Sequence, residues 1–364
     1  MCPLTLAECL PILLRHRLIS PSSLVNGQVV VEDTSSRNSN RRVSRQRGAH
    51  YLLKQSTGTG QDATVRREAL IYRSLSEIPQ FAPNLVRFFG YDTEKQVLIL
   101  EYLRDVRDLA RQFAEGAQIT TTQSRAMGRV LGTLHRIDVR PLEGEVVLGS
   151  LAPWILSIHR PSLRSLRDVS VGNLELIRVV QSIPALCEKL DEMQSAWRPR
   201  ALIHMDVRWS NWLVAHPLTP ERASGIKLLD WETACLGDPR WDVGCALSDH
   251  LMWWALQAPE TGGEVSGRRL PRDETETMQR AMGAFWRQYC VTAGVEVQEK
   301  APFLFASLQY AGGRLIQSAY ERLQQAQNLD RFGLSLLQLC VNILQFPEAA
   351  LERLCGFAGT QHDF

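Results

Sequence analysis

Ile203–Val214 reads I-H-M-D-V-R-W-S-N-W-L-V, and Ile226–Glu232 reads I-K-L-L-D-W-E after a Pro- and Gly-containing connection over 216–225. The apolar runs Trp212–Ala215 and Ile226–Leu229 predict two strands joined as a hairpin. Asn211 immediately precedes the first strand and Asp230 immediately follows the second. In an antiparallel pair those ends are neighbours, so an amide oxygen and a carboxylate meet in one small volume. Asp206 sits on the segment feeding the hairpin. Two carboxylates and an amide are hard oxygen donors, suited to Mg²⁺ together with phosphate oxygens. Gly237-Asp238-Pro239-Arg240-Trp241-Asp242 follows directly.

His204-x-Asp206 with Asn211, followed by Asp230-Trp-Glu and the Gly237–Asp242 segment, resembles the catalytic and metal loops of protein-kinase-like folds. The match is narrower with the aminoglycoside phosphotransferase and choline kinase branch. Met205 departs from that pattern, where the branch usually carries Gly, and Arg208 stands where many antibiotic kinases have His or another residue. The resemblance implies an α+β, bilobal protein-kinase-like fold, with an antiparallel-sheet N-lobe, one main helix and a mostly helical C-lobe. It places the N-lobe at 1–103, with a hinge at 101–103, and the C-lobe at 104–364.

A kinase also needs a nucleotide-binding lobe. Tyr51-Leu-Leu-Lys54-Gln55 is a short apolar strand carrying one Lys, in the position of the phosphate-gripping lysine of kinases. Glu68 follows on Thr64–Leu75, where Val65, Leu70, Ile71 and Leu75 have helical spacing. Either charge alone reads as ordinary surface. Their order ahead of the Asp206 segment makes them a pair that holds the lysine against the α- and β-phosphates. Glu101 and Leu103, after the strand Val97–Leu100, resemble the hinge whose backbone bonds adenine; an ordinary buried strand has the same composition.

The expected glycine-rich loop is missing: Thr34–Arg42 contains no Gly, so Ser and Asn side chains and backbone N–H groups must turn the chain. Five arginines lie between Arg37 and Gly48 with no acid among them. They read either as a solvated hairpin face or as a positive lip for phosphate or an acidic partner. Arg160, Arg164 and Arg167 fall on a segment expected to be helical over 151–168, with the same two readings: a solvated face, or a wall of the acceptor site. Trp209, inside the Asp206 segment, is the tryptophan expected to touch ligand.

In the roles the resemblance implies, Asp206 takes or orients the proton of the attacking hydroxyl, and Arg208 and Lys54 stabilise the transferring phosphoryl group. Asn211 and Asp230 hold Mg²⁺ with ATP. His204, Asp238 and Asp242 are supports, Asp242 by accepting loop N–H groups.

Composition fits a two-lobed enzyme. The chain has 364 residues, 45% hydrophobic, with a formal net charge of +2, so no global field recruits nucleic acid. Eight cysteines without a C-x-x-C spacing read as reduced side chains rather than a zinc site or disulfide framework. No apolar run approaches the ~20 residues of a membrane helix, and the first ten residues lack the charged start of a signal peptide. A cytoplasmic protein is expected, without nucleic-acid or membrane partners. Further helices are expected at 4–17 (kinked near Pro11), 105–114, 121–138, 173–196, 240–256, 273–294 and 300–326, with a last pair between 330 and 355. A mobile loop is expected at Gln257–Asp273.

Three functions are open. One is an Mg-ATP kinase acting on a Ser or Thr hydroxyl. The extension Leu4–Val25, the Ser-Arg-Asn-Ser-Asn loop and the segment around Trp154–Pro161 are similar to kinase-like components of class V lanthipeptide and thioamitide biosynthesis. That resemblance implies a ribosomal precursor peptide as acceptor and a lyase partner that eliminates the phosphate. The second is a small-molecule antibiotic or metabolite kinase. The third is a nucleotide-binding pseudokinase scaffold, which the complete set of Lys54, Glu68, Asp206, Asn211 and Asp230 disfavours.

Overall fold

The structure is a computed structural model that describes residues 4–34, 39–55, 62–104, 106–140, 149–163, 166, 167, 169–215, 225–257 and 272–357. Two compact units divide the chain. One is drawn from Met1–Leu109, Val139–Leu148 and Ser210–Ala234, the other from Ala110–Asp138, Gly149–Trp209 and Cys235–Phe364. The division therefore differs from a single cut at 103/104. The cause is local: Val106–Asp108, expected to open a helix, is a strand that pairs antiparallel with Trp212–Ala215, and this draws the hairpin into the first unit.

The first unit carries a five-stranded antiparallel sheet: β1 (Val29–Asp33), β2 (Ser39–Arg45), β3 (Tyr51–Gln55), β4 (Phe88–Asp92) and β5 (Val97–Glu101), in the order β1-β2-β3-β5-β4. Helix α1 (Leu6–Arg15) starts at Thr5, whose side chain and that of Glu8 form a reciprocal capping box. The helix is continuous through Pro11 and buries Cys9, Ile12 and Leu13 with Val43, Tyr51, Leu53, Val97 and Ile99 of the sheet. The short helix α2 is Pro21–Val25 and the main helix α3 is Asp62–Ser76. On α3, Val65, Glu68, Ala69, Ile71, Tyr72 and Leu75 are buried, a stripe at helical spacing with one carboxylate in it. The hairpin pairs Trp212 with Leu228 and Val214 with Ile226.

The second unit is mostly helical: α4 (Thr121–Leu134), α5 (Val171–Gln181), α6 (Pro184–Ser195), α7 (Pro239–Leu256), α8 (Arg272–Ala293), α9 (Val297–Arg322) and α10 (Arg331–Gln345). Its small sheet pairs Ala201–Ile203 with Cys235–Gly237. The expected helix over 173–196 is two helices, because Pro184 cannot continue one and instead opens the next. Among the described residues of the expected helix over 151–168, no α-helix forms. A single 3₁₀ turn, Trp154–Ser157, is followed by irregular chain, since Pro161 has no N–H to donate and disfavours a helical Arg160. Residues 258–271 of the expected mobile loop, 35–38 of the Ser/Asn loop, and Arg164 lie outside the described residues.

Helices α4 and α8 pack backbone to backbone. A Cβ at Gly128 would overlap the carbonyl of Phe285, and one at Gly132 would fall 2.8 Å from Thr292 Cβ and 2.9 Å from Ala293 N. Among the described residues no single helix is long and apolar enough to cross a membrane, and the described cysteines are free thiols.

Candidate functional site

The first unit gathers one cation and three carboxylates. Lys54 lies on β3 opposite in pleat to the core residue Leu53, so its side chain leaves the face packed on α1. Its Nζ is 2.8 Å from Glu68 of α3, 2.6 Å from Asp230 and 3.6 Å from Glu232. Burial opposes the charge on Lys54, but Glu68, Asp230 and Glu232 outweigh it and raise its pKa. Glu68 is fully enclosed, and burial, only partly offset by Lys54, pushes its carboxyl up to about 7.

Asp230 reaches this cluster because of its backbone. It follows the hairpin's second strand and takes a left-handed conformation, φ 65° and ψ 65°, ahead of the 3₁₀ turn Trp231–Thr233. Aspartate tolerates that region better than most residues. Trp231 is fully buried against Phe81, which fixes the turn. Asn211 is buried at the start of the hairpin, and its carbonyl accepts the N–H of Leu229 at 2.9 Å, so the two hairpin ends are joined. Glu68, Asp230 and Glu232 each offer an oxygen within 4.8 Å of the others, a donor set whose chemistry fits a hard divalent cation. At the strand end, Glu101 is half-buried and its carboxylate accepts the N–H of Arg87 at 3.3 Å; Leu103 is also half-buried.

The second unit holds a different cluster around Asp206. Arg208 Nε and Nη2 donate to Asp206 Oδ1 at 2.9 and 2.5 Å, and Arg314 Nη2 donates to the same oxygen at 3.2 Å. Glu321 Oε1 accepts from Arg208 at 3.1 Å and from Arg314 at 3.4 Å, which closes a ring of alternating charges. Burial pushes the Asp206 carboxyl up, but Arg314 and Arg208 more than offset it and hold it below the usual range. Asp249 of α7 is enclosed nearby, and burial pushes it up to about 7 against the pull of Arg314 and Arg208.

The loop before Asp206 is held from below. Asp242, fully buried in the first turn of α7, accepts the N–H of His204 at 2.7 Å and of Met205 at 2.9 Å, and contacts His135 Nε2 at 3.3 Å. His135 in turn meets the hydroxyl of Tyr289 at 2.9 Å. Met205 has φ 72°, the left-handed region that glycine adopts without penalty. Asp238 caps α7 through Arg240 N, accepts the N–H of Arg198 at 3.2 Å and pairs with the Arg240 side chain. His204 is fully buried.

Four groups of residues singled out in the sequence meet partners in the structure. Arg208 is bonded to Asp206 and Glu321. The arginine lip is neutralised across the β1–β2 pairing: Arg41 meets Asp33 at 2.7 Å, and Arg42 meets Glu32 at 2.7 Å and the Tyr102 hydroxyl at 3.0 Å. Those acids lie just before the arginine run, and antiparallel register brings them opposite it. Arg45 donates to the Leu18 carbonyl and the Tyr51 hydroxyl. Arg160, lacking its helix, pairs with Asp191 of α6. Trp209 is 7% exposed and packed on Phe113 at a ring separation of 4.0 Å and on His250 at 5.7 Å.

Sequence reasoning did not single out Glu232, Arg314, Glu321 or Asp249. Glu232 was readable, two residues beyond Asp230 in the quoted motif. Arg314 also left a signal, one charge among apolar and small residues from Tyr310 to Ile316, a position where a buried cation needs partners.

A family profile described as the phosphotransferase enzyme family matches residues 30–269. Acyl-CoA dehydrogenase family member 10 of Mus musculus is 26% identical over 199 residues, 54% of this chain but only 17% of that protein. The chain thus spans under a fifth of that relative. A choline/ethanolamine kinase family protein from Mesorhizobium loti superposes with a TM-score of 0.50 and 13% identity, over 93% of this chain and 96% of that one. The choline kinase LicA from Streptococcus pneumoniae gives a TM-score of 0.47 and 16% identity, over 91% and 99%.

Proposed function

Given that the chain belongs to the phosphotransferase enzyme family, and is accordingly an ATP-dependent kinase, we propose that it transfers the γ-phosphate of Mg-ATP to the hydroxyl of a Ser or Thr in a ribosomal precursor peptide. In this reading Lys54, supported by Glu68, grips the nucleotide phosphates. Asn211 and Asp230, with Glu232 beside them, hold the divalent cation, which would neutralise phosphate charge. The backbone of Glu101 and Leu103 meets the adenine edge. Asp206 orients the acceptor hydroxyl and receives its proton, while His204, Asp238 and Asp242 keep the loops in shape. The observation that carries the phosphotransferase reading is the Lys54–Glu68–Asp230 cluster, one ammonium within 2.8 Å of two carboxylates from distant parts of the chain.

What supports a peptide acceptor is the segment resemblance of the N-terminal extension and the Trp154–Pro161 block. The arginines of the lip, Arg160 and the two arginines at Asp206 do not bear on the acceptor's charge, being paired with acids. A small-molecule hydroxyl is the second reading, favoured by the name of the choline/ethanolamine kinase relative that shares the fold. After phosphorylation of a peptide, a partner lyase would be required for elimination.

Incubation with Mg-ATP and either Ser/Thr-rich peptides or a panel of amino alcohols, amino sugars and macrolides, read by mass spectrometry, separates the two. A gain of one phosphate on peptide, absent in Asp230→Asn, supports the proposal. Phosphate on small alcohols alone overturns the peptide acceptor, and ATP binding without transfer to either panel points to the scaffold.

A further inference from the structure

The three guanidinium bonds onto Asp206 fall on a single oxygen, Oδ1, yet the two arginines that make them are not alike. Arg208 belongs to the same loop and its side chain is 26% exposed, whereas Arg314 comes from the middle of α9 and is 2% exposed. Seven residues on, Glu321 lies on the same face of α9 and bonds Arg314, while Gln317 donates to Glu321 at 3.0 Å. The helix lies close at this level, for a Cβ at Gly313 would sit 3.2 Å from Leu156 and 3.4 Å from Met193.

We propose that Arg314 is a positioning residue for Asp206: anchored by Glu321, it fixes the carboxylate in one orientation, while Arg208, from the same loop, is the more exposed of the two arginines on that oxygen. The inference rests on the reading of Asp206 as the group that orients the acceptor. A carboxylate this enclosed rotates and protonates readily unless a charge holds it. A guanidinium has a fixed planar fork and stays charged, which makes it the better permanent anchor than an ammonium. The groups facing Asp206 are Arg208 and His204 from its own segment, Arg314 from α9 and Asp249 from α7, with Glu321 shared by the two arginines. Arg314 and Arg208 together keep Asp206 ionised against its burial. The same arrangement explains why a lone arginine is tolerated in the apolar stripe of α9.

The test uses the full chain labelled with [4-¹³C]aspartate, in which the Asp206 carboxyl is identified by its loss from Asp206→Asn. In Arg314→Gln the Asp206 titration is expected at least one pH unit above that of the unmodified protein, with Arg314→Lys in between. Mg-ATP hydrolysis at pH 7.5 should fall at least tenfold in Arg314→Gln, with the KM for ATP within twofold, and recover in part in Arg314→Lys. An Asp206 titration unchanged in Arg314→Gln overturns the proposal, as does a KM for ATP that rises in step with the lost turnover. Should Arg314→Gln not fold, Arg314→Lys decides, and an unshifted Asp206 there is equally fatal. Unaltered Mg-ATP turnover in Asp206→Asn rejects instead the reading of Asp206, and leaves the titration result standing on its own.

Discussion

Asp242 accepts the backbone N–H of Met205 at 2.9 Å while Met205 holds a φ of 72°. The left-handed conformation costs a non-glycine residue roughly 1–2 kcal/mol, so the loop is held in a shape its own sequence resists. The Gly usual in the related branch at this position thus has a physical reason. Met205→Gly is expected to keep the loop and its activity, because relief of strain roughly offsets the added freedom of the unfolded chain. Asp242→Ala leaves the buried N–H of His204 and the part-buried N–H of Met205 without their acceptor, at about 1–3 kcal/mol for the buried group and less for the other. Thermal melting should separate them, with Tm nearly unchanged for the first and lowered by several degrees for the second.

Asp206→Asn keeps the shape of the carboxylate and loses its capacity to take a proton. We expect kcat to fall by roughly 10²- to 10⁴-fold, about 3–5 kcal/mol of barrier. ATP affinity should stay within a few-fold, since Lys54, Glu68 and Asp230 are untouched. Steady-state kinetics with the acceptor found in the mass-spectrometric screen would check this, and a matching loss of ATP affinity would remove Asp206 from the proton-transfer role.

Lys54 is one ammonium shared among Glu68, Asp230 and Glu232. ATP should therefore bind poorly until a divalent cation joins it, for its phosphates would meet surplus carboxylate. Melting with ATP plus chelator should show little shift. With Mg-ATP at a hundredfold excess over Kd, the stabilisation approaches about 2.7 kcal/mol. Asp230→Asn should flatten the magnesium dependence and abolish turnover without unfolding the chain; equal shifts with and without the metal would count against the assignment.

Burial raises the Asp249 carboxyl to about 7, so the folded chain keeps that proton while the unfolded chain loses it near the ordinary carboxylate pKa. Between roughly pH 4 and 7 the folded state binds more protons, and stability from this group declines as pH rises through that window. Asp249→Asn removes the titration. Its Tm relative to the unmodified protein should rise from pH 4.5 to pH 7 and level off above. A difference independent of pH would show that Asp249 is ionised in the fold across the range.

The neighbouring placement of Asn211 and Asp230 was legible because hairpin polarity alone puts them at adjoining ends. Lys54 and Glu68 could be placed from a strand and a helix of plain periodicity. The arginines were not legible. Their partners Glu32, Asp33 and Asp191 are set by strand register and by a helix that Pro161 forbids, so charges that look surplus along the chain are matched in space. Arg314 and Glu321 lie more than a hundred residues from Asp206, and no local pattern links them to it.

The missing side chains at Gly128 and Gly132 reach further than their own helix. They set how deeply α4 seats against α8, and α4 ends at His135, which touches both Tyr289 of α8 and Asp242 beneath the Asp206 loop. A methyl group added at Gly132 would fall 2.9 Å from Ala293 N, and the shift of α4 that this forces is expected to carry His135 with it. The depth of a helix–helix groove thereby acts as a spacer for a loop it never touches. Substitutions at these two glycines should behave, in a screen for function, as though they had been made in the loop itself.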